Sequence, residues 1–312
     1  MNRIRIRPSR RPAEPKKPFL RDVRDNKQLY LLLLPFCVVF LLMFVIPIAA
    51  SMVLSLTYYN MFNTPKFIGL ANYINLFLND DVFFIALKNT LLFAVITGPL
   101  SYLLCFFAAW LINEMPKGLR VFLTFIFYAP SLTTSVYFVW QLIFSGDSYG
   151  YINSMLLSLG IITEPITWLK NEAYLMPIII VVQLWQSMGV SFLANISGLQ
   201  NINRDLYEAG SIDGVRNRWQ ELRYITLPSM SHMLLFSAVM QIQASFSVSA
   251  IAVTLAGYPS KGNAVDTVVS LMSDVATVRY EFGYASAIAV VLFMMMVITR
   301  LIVGKILQMA QK

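Results

Sequence analysis

The chain has 312 residues, of which 57% are hydrophobic and 13% charged, against roughly 45–50% and about 25% in soluble globular domains. That balance excludes a disordered chain and leaves too little polar surface to cover a soluble core of this size. The formal charge of +8 does not require nucleic acid as a partner, because 10 of the 24 Lys and Arg residues lie in the first 27 positions, ahead of a long apolar run. A basic tail against a membrane surface and its lipids accounts for them.

In chain order, residues 1–28 are this tail, read as cytoplasmic. The run 29–57 is too long for a signal-peptide core and no small-residue cleavage site closes it, so it reads as a retained anchor. Five more segments reach the roughly 20 apolar residues that cross hydrocarbon: 89–112, 120–145, 173–199, 230–257 and 283–304. Unpaired backbone groups find no water partner in lipid, so these spans are helices. The fold class is therefore an all-α membrane protein with six transmembrane helices over 29–304 and a short cytoplasmic end, 305–312. With the N-terminus inside, 19 of the 24 basic residues fall on the inner side, and only Lys66, Lys88, Lys170, Lys261 and Arg279 stay outside. That bias places both termini in the cytoplasm. The outer stretches 58–88 and 146–172 mix aromatic and aliphatic residues with Asn, Asp and Pro, the pattern of short interfacial helices.

Chemistry-bearing residues are scarce. Cys37 and Cys105 both sit in apolar runs and imply neither a disulfide nor a metal site. The single histidine, His232, lies beside Ser229 and Ser231 at a span edge, and no HExxH or GxSxG occurs. No catalytic or metal-ligating set is expected, and the chain is not read as an enzyme. The middles of the spans also lack the buried carboxylates and cations of proton and ion relays. An ion-coupled secondary transporter of a small polar solute is the alternative reading, since a site of carbonyls and hydroxyls would escape that test.

Uncharged polar residues are more informative. Gln183, Ser187, Ser191 and Asn195 recur every four positions with Gln186 beside them, and Gln241, Ser245 and Ser249 repeat the pattern in the fifth span. After Pro130 the third span carries Ser131, Thr133, Thr134, Ser135, Tyr137, Trp140 and Gln141. Two readings remain open: hydrogen bonding between helices, or a path for a hydroxyl-rich solute lined by Tyr137, Trp140, Gln183, Trp185, Gln186, Gln241 and Ser245. Pro99, Pro130 and Pro177 are candidate kinks in spans two, three and four.

The loop 199–229 is the most specific stretch. Asn203 or Asp205 can cap a short helix containing Leu206, Tyr207, Ala209 and Ile212, and Asp213 and Gly214 end it, with Gly taking the left-handed position. Pro228 is expected to start the next span, where no amide donor is needed.

Glu208, Ala209, Gly214, Ile225, Leu227 and Pro228 match the loop signature Glu-Ala-Ala, three residues, Gly, then Ile-x-Leu-Pro, with Gly210 at the third position. On these residues, and on FIGLANYINLFLNDDVFFIALKNT and RYEFGYASAIAVVLF, the chain resembles the permease subunits of maltose-type carbohydrate ABC importers. The resemblance implies a coupling helix seated in a cleft of a cytosolic ATPase. Glu208 would pair with a basic residue there, Asp213 and Gly214 would shape the helix end, and Tyr207, Ala209 and Ile212 would fill the cleft. It further implies a second homologous permease, two ATPase subunits that bind ATP and Mg, and an extracellular or periplasmic solute-binding protein. This chain has no GxxxxGK[ST] phosphate loop and is expected to bind no cofactor itself. The implied cargo is a carbohydrate, most simply an oligosaccharide. GYASAIA and PSKGNAVDTVV are similar to stretches of permeases for oligosaccharides from acidic polysaccharides, although no mid-span cation would meet a uronate. Localisation in the bacterial inner membrane follows.

Overall fold

The computed structural model describes residues 26–132 and 137–310; the basic tail and Thr133, Thr134 and Ser135 lie outside them. The chain divides into two compact units, Met1–Ala50 and Ser51–Lys312. In the first, α1 (Lys27–Phe40) passes through a π turn (Leu41–Val45) into α2 (Ile46–Leu54), which runs on into the second; the large apolar side chains from Leu29 to Ile48 are exposed, and Phe36, Phe40 and Phe44 stack one turn apart.

In the second unit a short antiparallel pairing of β1 (Thr57–Tyr58) with β2 (Lys66–Phe67) precedes α3 (Ala71–Leu78). Asn72, buried, holds this entry by donating to the carbonyls of Ser55 and Thr57 at 2.8 and 2.9 Å. The second span begins earlier than its apolar run. α4 (Asp81–Asn113) has 33 residues, because Asp80 caps it by accepting from the Phe83 amide at 2.9 Å and also receives the Tyr284 hydroxyl at 2.6 Å. At 1.5 Å per residue it is about 50 Å long. Pro99 lies inside it without ending it.

α5 (Lys117–Tyr128) ends in a 3-10 turn (Ala129–Leu132) containing Pro130, and α6 (Tyr137–Ile143) leaves at 90° to that segment. After α7 (Tyr151–Ser158) the fourth span is split into α8 (Glu172–Gln186) and α9 (Val190–Gln200). The loop holds α10 (Arg204–Ile212), then α11 (Arg218–Glu221), a π turn (Leu222–Thr226) and α12 (Leu227–Ser229). The fifth span is also split, into α13 (Ser231–Phe246) and α14 (Ser249–Ala256). α15 (Val268–Thr277), opened by a capping box of Thr267 and Ser270, was not expected: at 10 residues it is too short to register as a span. α16 (Phe282–Ala310) completes the fold. Among the described residues five helical runs are long and apolar enough to cross a membrane, or six if the bent pair around residues 133–136 is one span. This agrees with the expected multi-pass helical class.

Pro177 lies within α8, and the fourth span breaks after Gln186. One local expectation is corrected. Pro228 does not open a span but sits in a helical run that starts at Arg218, immediately after the π turn. Such a turn shifts the backbone pairing where proline offers no amide.

The buried side chains form three clusters, and α4 contributes to each: Phe83 and Ala86 with Phe246, Leu271 and Ile288; Phe93 with Ile179, Val182 and Val248; Cys105, Phe106 and Ala109 with Phe192 and Met230. Helix association in lipid rests on such packing and on interhelical hydrogen bonds. α4 is the axle of the unit.

In the segment between α6 and α8 the organising residue is Asn153, which reads as one polar position of an interfacial helix yet is fully buried. Its amide donates to the carbonyls of Ser145, Asp147 and Ile166 at 3.0–3.1 Å, and its carbonyl accepts from the Ile166 amide and the Trp168 indole at 3.2 and 2.8 Å. Replacing it with Leu keeps the bulk but orphans these groups, at a cost of about 3 kcal/mol. Asn153→Leu is expected to make residues 145–168 sensitive to limited proteolysis, and wild-type resistance would contradict the assignment.

Candidate functional site

Two places collect the polar residues. The first is where spans four and five are broken side by side. A helix break disturbs backbone pairing where lipid offers no water; the Ser187 and Ala244 carbonyls turn to the Gly189 and Ser247 amides at 2.8 and 3.2 Å, and two glutamines add interhelical donors to them reciprocally. Gln241 of α13 donates to the Ser187 carbonyl at 3.1 Å, at the break of span four. Gln183 of α8 donates to the Ala244 carbonyl at 3.2 Å, beside the break of span five. Cys105 of α4 reaches the same Ser187 carbonyl at 3.4 Å and receives the Gln241 amide at 3.1 Å.

Around this crossing opens a cleft of about 350 Å³, lined by Ser131, Tyr137, Gln183, Gln186, Gln241 and Gln243 among others, with no charged side chain among the described residues. Of the residues expected on a solute path, Tyr137, Gln183, Gln186 and Gln241 line it. The others do not. Trp140 packs edge-on against Trp185 at 5.4 Å and stacks on Phe144 at 5.9 Å. Ser245 is buried, donates to the Gln241 carbonyl at 2.7 Å and faces Gly98 of α4. Ser191 and Asn195 reach Ser237 of α13, at its carbonyl and its hydroxyl, so this part of the stripe joins helices. Gln243 and Ser247 were missed, because they lie off the four-residue stripe; both are exposed in the cleft.

The second place is α10. Asn203 caps it, its side-chain carbonyl accepting from the Asp205 amide at 3.1 Å. Asp213 ends it, and Gly214 follows at φ +95°, the conformation that favours glycine. Glu208, Ala209, Ile212 and Asp213 are exposed, Ile212 to 86%, and the Glu208 carboxylate has no partner among the described residues. Tyr207 turns the other way and bonds the Thr226 hydroxyl at 2.9 Å. Gly210 shares that inner face, where a Cβ would stand 2.6 Å from the tip of Ile225. The helix cost of an interior glycine, roughly 1 kcal/mol relative to Ala, is thus set against a close approach of α10 to the π turn.

Beside α10 lies a groove of about 490 Å³ lined by Trp110, Asn113, Glu114, Arg120, Arg204 and Arg218 among others. Arg218 donates to Glu221 at 2.8 Å and to Glu114 at 2.6 Å. These two carboxylates, Glu221 first, raise its pKa above the ordinary guanidinium value. No group of His, Cys, Asp and Glu that could hold a metal occurs among the described residues.

The reciprocal glutamines lead to a contrast. Gln241→Leu removes the interhelical amide donor to the Ser187 carbonyl, which keeps the Gly189 amide at 2.8 Å and the Cys105 thiol, and is expected to destabilise the solubilised subunit by about 1 kcal/mol. Gln243→Leu, at an exposed position, is expected to leave the thermal midpoint unchanged. Equal shifts for both variants would contradict the assignment.

Comparison with known proteins bears on both places. Residues 116–308 match the model of the family described as "Binding-protein-dependent transport system inner membrane component". The chain is 34% identical over 292 residues to the probable ABC transporter permease protein YesP of Bacillus subtilis (strain 168), covering 91% of this chain and 92% of that one. It is 30% identical to the arabinooligosaccharides transport system permease protein AraP of the same organism, covering 93% and 92%. Its fold resembles a chain of a bacterial ABC transporter involved in the import of the acidic polysaccharide alginate, with TM-score 0.74 and 24% identity over 94% of this chain and 99% of that one. The chain belongs to the inner-membrane permease family of binding-protein-dependent ABC transport systems, as a non-catalytic, multi-pass membrane component.

Proposed function

We propose that this chain forms, with a second homologous permease, the translocation path of a carbohydrate importer powered by two cytosolic ATPase subunits and supplied by an external solute-binding protein. The observation that carries the reading is α10, a capped helix whose Glu208, Ala209, Ile212 and Asp213 all face away from the subunit. Such an edge suits a partner's cleft, with the unpaired Glu208 carboxylate available to a cation of the ATPase. Tyr207 and Gly210 are assigned to bracing α10 against the π turn rather than to the partner. ATP and Mg would be held by the ATPase subunits, whose closure pulls on α10 and reorients the path; release of the loaded solute and hydrolysis then complete the cycle.

The cargo proposed is an oligosaccharide. The arabinooligosaccharide relative supports that class, and so does a cleft of amides, hydroxyls and one tyrosine ring, which recognise hydroxyl-rich solutes without fixed charge. Among the described residues no Lys or Arg lines the cleft to pair a uronate, which favours neutral over acidic sugars. Tyr137, Gln186, Gln243 and Ser247 are the proposed contacts.

With the complex in proteoliposomes, Glu208→Ala and Gly214→Asp are expected to lower ATP-driven uptake at least about tenfold while the subunit stays in the membrane. Normal uptake by both would remove the coupling assignment. Uptake driven by an ion gradient without ATP would instead favour a secondary transporter. Stimulation of ATPase activity by neutral oligosaccharides, and not by uronate oligomers, is the expected outcome for the cargo.

A further inference from the structure

We infer that Arg218 and Trp219 form a clamp on the end of α4 that carries movement of the coupling loop to the floor of the cleft, with Arg218 and Glu114 as positioning residues for transport. The inference rests on the reading of α10 as the element gripped by the ATPase. Two adjacent residues of α11 take hold of α4 by different chemistry. Arg218 pairs with Glu114 at 2.6 Å, and Trp219 packs on Trp110 with ring centroids 5.6 Å apart. Trp110 and Glu114 are four residues apart, one turn, so both holds fall on one face at the same helix end. α11 is set for this grip by its own cap: Asn217 accepts from the Gln220 amide at 2.8 Å, and the Gln220 side chain accepts from the Arg216 amide at 2.8 Å.

The loop therefore has two attachments to the spans. α10 rests on the π turn leading into span five, through Tyr207 with Thr226 and Gly210 against Ile225. α11 rests on α4. Both lines run to one acceptor, the Ser187 carbonyl at the break of span four: α13 brings Gln241 to it, and α4 brings the Cys105 thiol. Cys105 lies nine residues from Glu114 along an uninterrupted helix, roughly 13 Å at 1.5 Å per residue. A helix packed into all three core clusters moves as a rod, so displacement at its end reaches the cleft. A solute path that opens by relative movement of α4 and α13 at Ser187 needs both to be driven, and the clamp supplies the second drive.

The test is a double-mutant cycle in the reconstituted complex, reading solute imported per ATP hydrolysed, subunit level in the membrane, and co-purification of the ATPase. Arg218 and Glu114 are partly exposed, at 62% and 39% of their side chains, so the pair is sized as a surface ion pair, about two- to fivefold. Glu114→Gln and Arg218→Gln are each expected to lower the solute-to-ATP ratio by that factor, with membrane level and co-purification unchanged. The double variant is expected to be no worse than the lower single. Ratios equal to wild type in both singles, losses that multiply in the double, or loss of co-purification would each overturn the clamp. Glu208→Ala separates the two levels. If it uncouples while the Gln variants do not, the clamp alone falls; if it transports normally, the reading of α10 falls with it.

Discussion

The constraint on which the rest of the structure depends is that a broken helix inside a membrane must find partners for its freed backbone groups. Spans four and five are both interrupted, at Ser187–Gly189 and at Ser247–Val248. Each interruption is answered by a glutamine of the other span, Gln241 to Ser187 and Gln183 to Ala244. The two carbonyls also accept from the Gly189 and Ser247 amides, so the glutamines are a reciprocal cross-link that holds the two breaks against each other. The cleft is a consequence of that pairing: where two helices bend together, their remaining polar side chains have space to face.

At the C-terminal end of α4, beside Glu114, the demands are different. The loop carries charge and is capped in the manner of a soluble helix, with Asn203 and Asn217 closing the N-termini of α10 and α11 and Gly214 turning between them. The outward edge of α10 keeps Glu208, Ala209 and Ile212 free, while its inner edge is committed to Thr226 and Ile225. One short helix thus divides its residues between a brace and an exposed edge.

Much of this was legible from residue order. The apolar runs, the charge distribution and the loop signature report the solvent that each stretch meets, and that is a local property. α10, its cap and its glycine stop appear where the sequence places them. What residue order leaves open has a common cause. Pro99 and Pro177 lie inside α4 and α8, where a bundle tolerates proline because neighbours satisfy the freed groups. The second span was begun at residue 89 because Asp80, Asp81 and Lys88 end the apolar run, whereas the helix begins at Asp81 under the cap of Asp80. Asn153 looked like an interfacial polar residue because its five partners are scattered over residues 145–168.

The sequence by itself determined the class: helices in a membrane, a basic excess gathered outside the spans, no charge in the span middles, and a charged loop that carries the family's signature. Periodicity named Gln183 and Gln241 as important but left open whether they bond helices or line a path. Only the tertiary structure showed that both bond helices and border a cleft, set Trp140 against Trp185 and Phe144, buried Ser245, and brought Arg218 to Glu114 across more than 100 positions of chain. The physical reason is that solvent preference and capping are written in neighbouring residues, whereas the partner of a freed carbonyl or a guanidinium is set by which helices the packing brings together.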